Sequence, residues 1–169
     1  MCTKKDAIAS GPFLTYINKA ADKNIQESLA ENTLLFGRLL ASIPPEKRAY
    51  AYAPGKWTIL QMLQHIVDAE RVFAYRALRV ARQDATAMPG FDENTWAAAA
   101  NKINRNWNGL LEEFTAVRAS TERMFKHFGR EELLFAGMAC NQAINALAMG
   151  YIIAGHTQHH LDIINERYL

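Results

Sequence analysis

Cysteine is scarce in this chain. Only Cys2 and Cys140 are present among 169 residues, and they form no C-x-x-C pair, so neither a disulfide framework nor a Cys-rich zinc module is encoded. Charge of one sign is lacking too. Lys and Arg number 19 against 17 Asp and Glu, a formal net charge of +2, with both signs mixed along the chain and no basic run to track a phosphate backbone. Nucleic-acid binding is therefore not expected. No stretch approaches 18 uninterrupted apolar residues, and Lys4 and Lys5 are not followed by an apolar run of signal-peptide type. With no membrane partner implied, the expectation is a soluble cytoplasmic protein. There is no strand signal, no internal repeat and no low-complexity segment.

What is present is helical periodicity over one domain's length. Half of the residues are apolar, enough for a sizeable core without disulfides. We read residues 1–169 as a single domain in which 1–12, ending in Ser10-Gly11-Pro12, are a frayed lead-in. A first helix is expected from Phe13 to Ile43, with Asp22-Lys23-Asn24 as a candidate break and Pro44-Pro45 as its stop. A second runs from Trp57-Thr58 to about Gln83. Its wet side carries Gln61, Gln64, Asp68, Arg71, Arg79 and Arg82, and its dry side Ile59, Met62, Ile66, Phe73 and Val80. Asp84 to Asn94 reads as a loop. The third helix is expected from Glu93 to Phe128 through Trp96, Ile103, Trp107, Leu110 and Phe114, with Gly129 closing it. After a short segment, Arg130 to Cys140, the last helix spans about Asn141 to Arg167, and its first half is apolar nearly all round. Four long helices with no strands make an all-α four-helix bundle.

Three of the five histidines fall within Gly155-His156-Thr157-Gln158-His159-His160-Leu161. At about 100° per residue, His156 and His160 share the apolar side with Met149, Ile153 and Ile164, and His159 falls toward the rim. The favoured pincer is His156 with His160. His65 sits at the boundary of the second helix's two sides, beside Met62, Ala69 and Val72, and can look into a bundle interior as a third ligand. Three neutral imidazoles suit Zn, Ni, Fe or Cu, and a fourth position left to water makes a catalytic site. The plain alternative is a set of core and helix-end histidines bonded to carbonyls. From spacing alone the two readings stand level.

Other residues carry paired readings. Glu70 lies among apolar neighbours, where its carboxylate pairs with an arginine such as Arg118 or Arg76, or else orients a ligand imidazole. Asp92 caps the third helix or reaches the pocket mouth. Trp57 is a core anchor or a pocket wall. His159 is a rim residue or a spare base, His127 meets the carbonyls ending the third helix, and Cys140 is a buried apolar filler.

The runs Tyr52-Ala53-Pro54-Gly55-Lys56-Trp57-Thr58-Ile59-Leu60-Gln61 and His65-Ile66-Val67-Asp68-Ala69-Glu70 resemble the opening of the second helix in the DinB/YfiT-like family of metalloenzymes. Pro89-Gly90-Phe91-Asp92 and Ala154-Gly155-His156-Thr157-Gln158-His159-His160-Leu161 resemble its loop and its C-terminal helix. The likeness covers about residues 13 to 168. It implies a four-helix bundle, commonly a homodimer, with one histidine of the second helix and an H-x3-H pair of the fourth binding a divalent metal ion (Zn, Ni, Fe or Mn). Carried over, these are His65, His156 and His160. Some relatives are thiol-dependent transferases or isomerases, so a low-molecular-weight thiol co-substrate and a small-molecule substrate are implied. The competing expectation is a non-catalytic dimeric bundle that binds a ligand or partner, its metal absent or structural.

Overall fold

The computed structural model describes residues 2–100 and 106–169. Helix α1 (Phe13–Lys19) and helix α2 (Ile25–Ser42) occupy the first expected helical stretch. They are separate because Ala20 is extended, while the Asn24 side chain accepts the Glu27 N–H at 3.0 Å and starts a new helix. Helix α3 (Ile59–Ala81) opens with a capping box in which Thr58 and Gln61 each bond the other's backbone N–H. Of its expected wet side, Gln64 is buried rather than exposed, its amide donating to Asp68 at 2.9 Å.

The expected third helix is divided. Helix α4 (Glu93–Ala100) begins where foreseen, but Asn106 is extended and its side chain accepts the Gly109 N–H at 2.7 Å, capping a new helix α5 (Trp107–His127). Ile103, placed on that helix's apolar row, lies outside the described residues. Trp96 is 43% exposed and stacks on Phe91. Gly129 follows α5 and heads the short helix α6 (Arg130–Leu134), its N–H held by Glu132.

Strands β1 (Gly137–Ala139) and β2 (Gln142–Ile144) then form an antiparallel hairpin that the sequence reading did not foresee. Cys140 and Asn141 link them at φ 51° and 60°, the left-handed pair that a two-residue turn of type I′ demands. The hairpin delays helix α7 (Ala146–Arg167), whose cap is Asn145 rather than Asn141. Asn145 also fastens the lead-in: its side chain accepts from Ala148 and Ile8 and donates to the Asp6 carbonyl at 2.9 Å. Cys2 is buried, so the lead-in expected to fray lies against the body instead.

Helices α2, α3, α5 and α7 form the four-helix bundle. Every residue from Ala146 to Thr157 is buried, because α1, α2, α3 and α6 surround this half of α7. The all-round apolar start is thus covered within the chain. At Gly155 the approach of α1 is so close that a Cβ would sit 1.7 Å from the Tyr16 carbonyl oxygen.

The core has two apolar parts, one containing Leu29, Phe73, Phe125 and Leu147, the other Phe36, Leu63, Phe114 and Ile164. Between them each bundle helix contributes a polar residue: Asn32, Glu70, Arg118 and Thr157. Arg118, 1% exposed, donates to both Glu70 oxygens, to Asn32 at 3.0 Å and to Thr157 at 2.9 Å. A guanidinium so buried is tolerable only with such complete partnering. No helix among the described residues is long and apolar enough to cross a membrane.

Candidate metal centre

One turn of α7 aligns His156 with His160, and the crossing of α3 brings His65 to the same point. His65 Nε2 lies 3.0 Å from His156 Nε2, and His160 Nε2 lies 3.1 Å from the same atom. The three side chains offer ligand atoms all within 4.8 Å of one another. His156 and His160 are buried at 4% and 7% exposure, and His65 is half-buried.

Burial removes water that would solvate an imidazolium, and it is the first cause of the low basicity of all three rings. His65 is lowered to about 4, against a partial opposing pull from the Glu93 carboxylate. His156 and His160 lie well below the ordinary value, and the neighbouring imidazoles push each lower. At neutral pH the centre therefore presents neutral rings.

These nitrogens fit a divalent ion. Two short contacts converge on a single atom, His156 Nε2, which carries either one proton or one lone pair. It cannot make two good hydrogen bonds at once. A cation accepts all three lone pairs, and tetrahedral bonds of about 2.0–2.1 Å place nitrogens about 3.3 Å apart, close to the separations found. Three imidazoles leave a further coordination position free for water or substrate.

The centre forms part of the wall of a cavity of about 390 Å³. Trp57 stands with its ring centroid 4.8 Å from that of His65, so it is a wall of the pocket. The Tyr16 ring meets His156 edge-on at 5.2 Å, and Phe73 does so at 5.7 Å. His159 is half-buried on the same wall, its basicity lowered by burial first and by Lys19 second. Asp92 is exposed and caps α4, accepting the Thr95 N–H at 2.7 Å; its neighbours Phe91 and Glu93 line the cavity. The Glu70 carboxylate is held on both oxygens by Arg118, the arginine named first in the sequence reading. Cys140, expected as a buried filler, is half-buried in the hairpin turn and lines the cavity.

Sequence reasoning did not place Tyr16, Phe91, Glu93 or Arg76 at this wall. For Arg76 a signal existed: it follows His65 by 11 positions, three helical turns, and so shares its face of α3. Tyr16 and Glu93 arrive from other elements, and only tertiary packing brings them in.

A four-helix bundle whose second and last long helices bring three imidazoles together at an aromatic cavity is a bundle protein equipped to hold a metal ion. Residues 28–164 match the model of the DinB superfamily, and the chain belongs to that superfamily. Among solved structures, the chain is similar to YfiT from Bacillus subtilis, described as a probable metal-dependent hydrolase with an unusual four-helix bundle topology. The two share 15% identity at a TM-score of 0.73, over 84% of this chain and 82% of that one, a likeness of fold. No curated protein matches the chain.

Proposed function

We propose that this chain is a divalent-metal-dependent enzyme of the DinB type, acting on a small molecule as a thiol-dependent transferase, with His65, His156 and His160 as its ligands. The observation that carries the reading is the convergence of three neutral imidazole nitrogens beside a cavity. A divalent ion held by His65, His156 and His160 would supply Lewis-acid chemistry, lowering the pKa of a water or thiol and polarising a substrate oxygen. The chain supplies the rest. Trp57, Tyr16 and Phe73 exclude water from one side of the centre and give the substrate flat faces to lie on. His159, unprotonated at neutral pH, takes the proton of the incoming nucleophile on a ring nitrogen. A homodimer in the cytoplasm completes the proposal. Light scattering that gives a monomer at every concentration removes the dimer.

One observation favours the second reading, a non-catalytic bundle that binds a ligand or partner. His160 Nδ1 is buried with no hydrogen-bond partner, whereas metal-ligating imidazoles usually donate that N–H to a carboxylate or carbonyl. Metal analysis of untagged protein separates the two. The enzyme reading requires close to one divalent ion per chain, lost in His160→Ala at unchanged helix content. Substoichiometric metal indifferent to that substitution supports the bundle without catalysis, and loss of stability with no metal in either protein returns the histidines to a core role. A screen of thiols with electrophilic acceptors then tests the transferase.

A further inference from the structure

Among the described residues two arginines are buried, and they are treated differently. Arg118 receives a carboxylate on two sides of its fork together with Asn32 and Thr157. Arg76, 4% exposed, receives none. Its Nη2 donates to the Pro89 carbonyl at 2.7 Å, and its guanidinium lies 5.9 Å from the centre of the Phe91 ring. No ion pair reaches it among the described residues. Among the described residues its Nε and Nη1 have no hydrogen-bond partner, and neither is a fully buried orphan. Arg76 lines the same cavity as the three histidines.

A guanidinium taken from water without a counter-ion is costly, and the cost is recovered when an anion docks. The other charged side chain on this wall, Glu93, does not supply that anion: it is exposed, makes no ion pair with Arg76, and its field falls on His65 and Tyr16. Among the described residues Arg76 is the cationic side chain of this wall, and a carboxylate is held there.

The stripe His65, Ala69, Phe73 and Arg76 runs along one face of α3, all four lining the cavity. Eleven residues separate the Cα levels of His65 and Arg76 by about 16 Å, and both side chains lean back toward the N-terminus. Ala69 keeps the floor between them low, and Phe73 makes it flat.

Resting on the reading of this cavity as a substrate site, we propose that Arg76 is its anion anchor, and that the substrate class is a small carboxylate with an apolar or aromatic body. The carboxylate sits on the Arg76 fork, the body lies over Ala69 and Phe73, and the reacting atom reaches toward the histidines along the same face of α3.

The test needs neither metal nor turnover. The full chain, stripped with a chelator, is titrated calorimetrically at pH 7.5 and low salt with 4-phenylbutyrate and with 4-phenylbutyramide, which differ only in the charged end. The wild type binds the acid at least about tenfold more tightly than the amide. Arg76→Gln abolishes that preference and Arg76→Lys keeps part of it. Equal binding of acid and amide to the wild type, binding of neither, or a preference that survives Arg76→Gln overturns the proposal. Should Arg76→Gln fail to fold by circular dichroism, the wild-type comparison and Arg76→Lys decide it. A parallel Zn²⁺ titration keeps the two readings apart: a wild type that takes up no zinc while preferring the acid loses the metal enzyme and retains the anchor.

Discussion

His65 and His156 stand 91 positions apart in the chain, yet their Nε2 atoms lie 3.0 Å from each other. Helices α3 and α7 meet here through rings that burial keeps uncharged.

The first expectation concerns which imidazoles matter. Removing a group that merely orients a metal ligand lowers affinity about 10–100-fold, so loss of a ligand itself should cost more than about 100-fold. His65→Ala and His156→Ala should each show that loss in a Zn²⁺ titration. His159→Ala, on the rim, should bind zinc within a few-fold of the wild type.

Acid stability follows from the same rings. Unfolded, each histidine gains a proton near 6.5, whereas folded His65 resists until about 4, with His156 and His160 also lowered. The unfolded chain therefore binds more protons in that window, and the stability of metal-free protein falls as pH drops from about 6.5 toward about 4. Urea midpoints measured across that range should fall steadily in the wild type and less steeply in His156→Gln. A wild-type midpoint independent of pH would show that the rings are not buried as uncharged groups.

The polar layer gives a larger effect. Glu70 and Arg118 are 2% and 1% exposed, and deleting one partner leaves the other charged and without a counter-ion in the interior. Glu70→Ala should cost about 3–5 kcal/mol in urea unfolding. The double variant Glu70→Leu with Arg118→Met should recover part of it, limited by Asn32 and Thr157, which lose the same guanidinium.

Backbone contact between α1 and α7 predicts a contrast between two glycines. Gly155→Ala drives a Cβ into the Tyr16 carbonyl, so α1 must move, at a cost of about 2 kcal/mol or more. Gly150→Ala meets side-chain atoms of Ile25 and Phe125 at 2.7 and 2.8 Å, which can turn aside, and should cost less. Only Gly155→Ala should also disturb the cavity, reported by altered fluorescence of Trp57.

Much of this arrangement was legible in the residues because it repeats with the helix. His156 and His160 share a face by their spacing, and His65 stands where the polar and apolar sides of α3 meet. Glu70 announced its need for a cation by its angle alone. The division at Asn106 was not legible, since apolar residues continue on both sides of it and one cap decides the matter. The hairpin was equally silent: Cys140-Asn141 lacks the glycine that usually marks such a turn, and three-residue strands have no period to read. Gln64 looked wet because its angle ignores the Asp68 side chain that satisfies it.

The placement of α7 bears on how the molecule is made. The helices that emerge from a ribosome before it can meet one another around Phe36, Leu63 and Phe114, but the apolar column against which Leu29, Phe73 and Phe125 pack follows them in the chain. Pairings such as Ile8 with Asn145 and Lys19 with Asp162 span 137 and 143 positions, so most of the native order waits for that column. During synthesis the nascent segments expose sticky surface for longer than an up-and-down bundle of local hairpins would, and the yield of folded protein should respond to chaperone supply.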